Sequence, residues 1–172
     1  ESLPGYLLTE AQNINAIKDD TLEVEIYMKQ KTRDLLFELT VKEGDPDRIS
    51  NITGTLSGIA GSFDLSSQRI CGEAMNTSFP FARTNDKITA HTRLLGTTGL
   101  KQSLRIDLTF TDGSSQTIEN DLTDLLKNFN DDMPTPMYIT GDLLTPIEAD
   151  MTATIVGWEN GNEENGENIE IY

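Results

Sequence analysis

The chain has 172 residues, 36% of them hydrophobic and 24% charged, which fits one folded domain with a core of its own rather than a disordered chain. Its 29 acidic and 13 basic residues give a formal net charge of −16, which argues against nucleic acid and anionic membrane surfaces as partners because both require neutralised phosphates. One cysteine, Cys71, and one histidine, His91, exclude an internal disulfide and every multi-cysteine zinc site, and no apolar run approaches the roughly 20 residues of a membrane helix.

Along the chain the dominant pattern is the two-residue period of a half-buried strand. Gly5 to Ile17 fits either a strand followed by a loop or a turn of helix. Leu22, Val24, Ile26 and Met28 then alternate with Glu23, Glu25 and Tyr27. After the polar stretch Gln30 to Asp34, Leu35, Phe37, Leu39 and Val41 alternate with Glu38, Thr40 and Lys42, and the two runs together predict a hairpin. Gly44-Asp45-Pro46-Asp47 breaks the chain. Ile49 to Leu65 predicts a strand and a turn, and Arg69 to Ala74 and Lys87 to Leu95 are further strand candidates. Leu104, Ile106, Leu108 and Phe110 form the cleanest alternation. It ends in Asp112-Gly113, which predicts a type I′ hairpin turn with a return strand over Ser115 to Glu119.

One short helix is expected where Leu122, Leu125, Leu126 and Phe129 fall on one face, with Asp121 or Thr123 as its cap and Pro134-Thr135-Pro136 as its stop. Pro136 to Ile139 and Met151 to Trp158 complete the strands. From Asn128 onward there are ten acidic residues and no basic one, and residues 160–168 read as a flexible acidic loop before a strand fragment or tail, Ile169 to Tyr172. With eight or nine short strands, no internal repeat and no Pro- or Ser-rich linker, residues 1–172 are expected to form a single antiparallel sandwich or barrel.

No residue set rises to a catalytic, cofactor or metal site. His91 lies between Thr89 and Arg93 on the polar side of a strand, so a surface histidine is expected rather than a general base. Cys71, in Arg69-Ile70-Cys71-Gly72, reads as a buried, inert thiol. Gly96 to Lys101 is too short for a phosphate loop and predicts a turn between strands. Asp45 with Asp47, and Asn130 with Asp131 and Asp132, are the candidate calcium clusters, and neither has the spacing of a calcium loop. Trp158 is the one candidate sugar platform, with a core or rim position as the commoner role. Asn51-Ile52-Thr53 and Asn76-Thr77-Ser78 match the short N-glycosylation pattern.

Two stretches carry a family likeness. The first is Ile52-Thr53-Gly54-Thr55-Leu56-Ser57-Gly58-Ile59-Ala60-Gly61-Ser62-Phe63-Asp64-Leu65, following the hairpin expected over Leu22 to Val41. The second runs from Leu104 to Leu122 and is completed by Thr154 to Gly161 around Trp158-Glu159-Asn160-Gly161. Together they resemble the C-terminal β-sandwich domain of fimbrillin-like surface proteins of Bacteroidetes, of the anchor or accessory type. The resemblance implies an all-β, transthyretin-like Greek-key sandwich of about seven to nine strands and one short helix. It implies a cell-surface, outer-membrane location reached through a lipid anchor upstream of Glu1, on a longer precursor of which this is the C-terminal domain. Asp20-Thr21-Leu22 matches the short O-glycosylation pattern of that phylum. The function expected is a non-catalytic anchor, accessory or tip subunit of a fimbria or adhesion system, with other fimbrial or surface subunits as partners. The alternative is a glycan-binding accessory module meeting host or bacterial glycans. No cofactor, metal or catalytic residue is expected, and no ligand-binding residue is assigned.

Overall fold

The structure is a computed structural model and describes residues 5, 7–9, 15, 18, 21–147 and 151–161. Two residue pairs, β1 (Leu7–Leu8) and β2 (Lys29–Gln30), form a minimal antiparallel ladder. Nine strands then build two sheets: β3 (Arg33–Glu43), β4 (Ile49–Asp64), β5 (Arg69–Pro80), β6 (Ala82–Thr84), β7 (Lys87–Leu94), β8 (Ser103–Phe110), β9 (Ser115–Asp121), β10 (Met137–Leu144) and β11 (Thr154–Gly161). The five-stranded sheet runs β11-β10-β3-β7-β6 and the four-stranded sheet β5-β4-β8-β9. The chain changes sheet repeatedly: β3 in the first, β4 and β5 in the second, β6 and β7 in the first, β8 and β9 in the second, β10 and β11 in the first. The result is the expected all-β sandwich with one short helix.

Alternation fixes which side of each strand faces the other sheet. Leu35, Phe37 and Leu39 of β3, Ile88, Ala90 and Leu94 of β7, and Leu104, Ile106 and Leu108 of β8 are all buried in one core. The second face of these strands carries Glu38, Lys87, Arg105 and Asp107. At the centre, Phe37 stacks on Phe79 with ring centroids 5.6 Å apart, and Phe81 tilts against Phe79 at 5.7 Å. Gly54 lies beneath this cluster. A Cβ there would stand 2.8 Å from ring carbons of both Phe79 and Phe81.

The hairpin predicted over Leu22 to Val41 does not form. β3 pairs antiparallel with β7 on one side and parallel with β10 on the other, so both its backbone edges are taken. Among the described residues Leu22–Met28 belongs to no sheet. The turn after β8 also differs from expectation. Gly113 has φ +86°, Asp112 is not left-handed, and Gly113 N–H donates to Phe110 C=O at 3.0 Å. That is a turn closed by a left-handed glycine, the three-residue loop rather than type I′.

The helix α1 (Thr123–Leu126) is a single turn. Leu122, Leu126 and Phe129 are fully buried as its pattern requires. It stops early because the Arg33 guanidinium, only 6% exposed, donates to the carbonyls of Asn128 (3.1 Å), Phe129 (2.8 Å) and Thr135 (2.6 Å). Neither expected cap holds the N-cap position: Leu122 does, without a side-chain cap, and Asp121 before it accepts the Thr123 N–H at 3.0 Å as an Asx turn. Residues 160–168 divide: Asn160 and Gly161 end β11 rather than opening a loop, and the remainder, like Ile169 to Tyr172, lies outside the described residues.

Two substitutions probe this core by urea denaturation. Phe37→Ala should cost about 3–5 kcal/mol of stability by removing the central ring. Gly54→Ala should cost about 1–3 kcal/mol by driving a methyl group into rings that have no room to yield.

Candidate interaction surface

The residues singled out by chemistry do not converge. His91 stands on the outer face of β7 and Asp34 on the same face of β3. His91 Nε2 lies 2.7 Å from Asp34 Oδ1, and Arg93 Nε donates to the same oxygen at 2.8 Å. The sequence placed His91 beside Arg93 on a polar face, and the structure adds the carboxylate that binds both. Asp34 thus ties His91 and Arg93 together on the outer face of the sheet. Partial burial pushes the Asp34 carboxyl up, but hydrogen bonds from Arg93 and His91 outweigh burial and hold it below its ordinary value.

Cys71 is exposed, contrary to expectation. β4 continues past Leu56, the last residue it pairs with β8, and from Ile59 to Asp64 its only strand partner is β5. Cys71 lies on this projecting ribbon, where no second layer covers it. At the ribbon's tip, hydrogen bonds from Ser67 and Ser66 hold the Asp64 carboxyl down to about 2. Gly96 to Lys101 is a loop clamped beside the ribbon: Thr98 N–H donates to Gly58 C=O at 2.8 Å, and the Asn130 side chain bonds Thr97 N–H and C=O at 2.9 Å each.

The acidic candidates are equally committed. Asp45 caps a 3₁₀ turn over Pro46–Arg48 through the Asp47 N–H, and Asp47 pairs with Arg83 at 2.9 Å. Among the described residues no three His, Cys, Asp or Glu side chains gather in a metal-binding group. Trp158 is partly buried, packs on the core, and has its ring carbons about Gly141. Its stacking face is used internally. Asn51, Asn76 and Thr21 are exposed, while Asp20 lies outside the described residues.

What remains is backbone. A sheet edge carries a row of unpaired N–H and C=O groups unless it is short, charged or covered. β6 is three residues long. β9 is tied down by Gln116, which donates to Met151 C=O at 3.2 Å and accepts from Ala153 N–H. β5 has none of these protections. It spans twelve residues, pairs among the described residues only with β4, and carries two charges, Arg69 at its start and Glu73. Phe79, Thr77 and Met75 lie on its core side, opposite Gly54, Leu56 and Ile59, and Met75 is 55% exposed. Sequence reading missed this edge because strand alternation reports faces and says nothing about which strands end a sheet.

The sequence matches the family model of fimbrillin-A associated anchor proteins Mfa1 and Mfa2 over residues 4–164. The chain belongs to this family. Among solved structures, the fimbrial anchor protein Mfa2 of Porphyromonas gingivalis superposes with a TM-score of 0.53 at 15% identity, over 78% of this chain and 48% of that one. A candidate adhesin of Bacteroides ovatus gives 0.56 at 12% identity, over 83% and 54%. A candidate cell-adhesion protein of Bacteroides fragilis gives 0.51 at 18% identity, over 83% and 48%. At these identities the likeness is one of fold, and the chain spans about half the length of each. No curated protein matches it. The fimbrial-anchor family therefore agrees with the resemblance read from the sequence.

Two measurements check the local chemistry. Cys71 should react with a thiol reagent such as DTNB in the native protein, at a rate little changed by urea; a thiol that reacts only after unfolding would contradict its position. Asp34, with its folded pKa depressed, should stabilise the fold above about pH 4, the unfolded carboxylate value, and lose that stabilisation as pH falls through the folded value. Asp34→Asn should accordingly flatten the fall of unfolding free energy between neutral pH and acid.

Proposed function

We propose that this chain is a non-catalytic subunit of a fimbria or adhesion system, of anchor or accessory type, that works through contacts with other fimbrial subunits. The observation that carries the reading is family membership over nearly the whole chain. The open β5 edge supplies the physical means. An extended segment of a partner subunit would hydrogen-bond along it and place alternate side chains beside Met75, Thr77 and Phe79, which is recognition by strand addition. The negative charge supports display at an exposed surface, because it keeps a bare edge from indiscriminate pairing.

The domain is, in this reading, one part of a longer protein held at the outer membrane by a lipid anchor. Its span of about half of each matched structure supports the longer protein, and family membership supports the surface location.

Cross-linking on intact cells followed by affinity capture and mass spectrometry tests both parts. Other β-sandwich pilus subunits should be recovered, with cross-links concentrated on 69–80. Ala74→Lys combined with Asn76→Lys, which places cations on the edge without touching the core, should reduce that recovery at least about tenfold, the effect of about 1.4 kcal/mol. Recovery of polysaccharide-handling proteins alone, or recovery indifferent to the two lysines, would contradict it.

A further inference from the structure

The projecting ribbon of β4 and β5 stands beside a groove of about 460 Å³. That volume falls within the roughly 300–1,000 Å³ of small-ligand pockets. Ser62, Phe63 and Leu65 line it from the ribbon. Leu8 of β1, Lys31 just before β3 and Leu95 just after β7 line it from the body of the domain. Its walls are therefore largely apolar, and Leu65 is 67% exposed. Such surface gains when a second apolar group removes it from water.

Among the described lining residues the one charged side chain is Lys31. Its partners there are neutral: Nζ donates to Gln68 Oε1 at 3.2 Å and stands 5.5 Å from the centre of the Phe63 ring. An ammonium has three donors, so this arrangement leaves room for an acceptor. Asp64, beside Phe63 in the chain, accepts instead from Ser66 Oγ at 2.8 Å and Ser67 Oγ at 2.7 Å. Elsewhere on the domain lysines meet carboxylates, Lys42 with Asp142, Lys87 with Glu38 and Lys101 with Asp121. Lys31 is set against an aromatic ring and an apolar hollow.

We propose that this groove binds a medium-chain carboxylate, with the carboxylate on Lys31 Nζ and the alkyl tail along Phe63, Leu65, Leu8 and Leu95. Charge decides between ligand classes. A net charge of −16 repels anions from the domain as a whole, so one is held only where a local cation supplies a charge-assisted hydrogen bond. A neutral alkyl chain would meet the same walls and offer Lys31 no counter-charge. A small carboxylate such as acetate would meet the ammonium and cover none of the apolar surface. The two halves of the groove together select an amphipathic anion. The site is separate from the β5 edge, and neither reading depends on the other.

The test is isothermal titration calorimetry on the purified 172-residue chain with octanoate, 1-octanol and acetate, each below the concentration at which it aggregates. Octanoate should bind once per chain. Acetate and 1-octanol should bind at least about tenfold more weakly, the scale of a lost apolar contact or charge-assisted hydrogen bond. Lys31→Gln removes the charge at an accessible position and should weaken octanoate at least about tenfold while leaving 1-octanol unchanged. Lys31→Arg keeps the charge and should keep octanoate binding. Leu65→Ser should weaken octanoate with no change in the unfolding midpoint. In proton–nitrogen correlation spectra the amides of Lys31, Phe63 and Leu65 should shift on titration with octanoate. Absence of octanoate binding overturns the proposal. So does 1-octanol binding as tightly as octanoate, affinity indifferent to Lys31→Gln, or shifts confined to other parts of the domain.

Discussion

Saturation of β3 from both sides is the constraint on which the rest of the molecule depends. Arg33–Glu43 pairs in parallel with β10 and antiparallel with β7. Its inward side chains, Leu35, Phe37 and Leu39, are all fully buried. Because that strand is full, the segment before it is excluded from the sheet, and β7 and β10 carry the sheet outward to its edges. Arg33, at its start, reaches across to hold the carbonyls after α1, so the lone helix turn is fixed to the same strand. Among the described residues, backbone unpaired with another strand is then left at Leu22–Met28 and at the sheet edges, of which β5 is the longest at twelve residues and β11 follows at eight.

Much of the acidity has local work in the fold. Asp45, Asp64, Asp112 and Asp121 each accept the backbone N–H two residues on, at 2.9 to 3.0 Å. These are Asx turns, in which a short carboxylate substitutes for a backbone acceptor. Hydroxyl hydrogen bonds, from Ser67 and Ser66 to Asp64, Ser114 to Asp112 and Thr123 to Asp121, followed by these backbone bonds, hold the three carboxyls below the usual carboxylate range. Asp107 is likewise held down by Arg105 and Thr117. These aspartates stay ionised and count with the other acids toward the net charge of −16, which makes any pairing of the domain's edges sensitive to ionic strength.

The strand pattern was readable wherever one face of a strand meets the core. Lys87–Leu94 and Ser103–Phe110 alternate in burial as their residue types alternate. Leu22–Met28 shows the limit: alternation states that a segment can be a strand, while occupancy of the neighbouring edges decides whether it is one. Cys71 misled for a related reason. A small residue among Ile70 and Gly72 looks buried until the ribbon carrying it is found to extend past its sheet. β5 itself was legible only as far as Ala74, because Met75 to Pro80 mixes polar and apolar residues, as an edge strand open on one side does. An open sheet edge leaves no residue signature, since its unpaired groups are backbone groups that every residue carries. Family likeness was legible from Ile52 to Leu65, from Leu104 to Leu122 and from Thr154 to Gly161, which are β4, the β8–β9 hairpin and the closing strand β11.

The most direct measurement is amide hydrogen exchange, read by mass spectrometry, on the domain alone and again within fimbriae isolated from cells. If β5 is the working edge, peptides covering 69–80 become strongly protected in the fimbria while those covering β9 keep the exchange of the free domain. Protection confined to loops, with β5 exchanging as it does in isolation, would contradict strand addition at this edge.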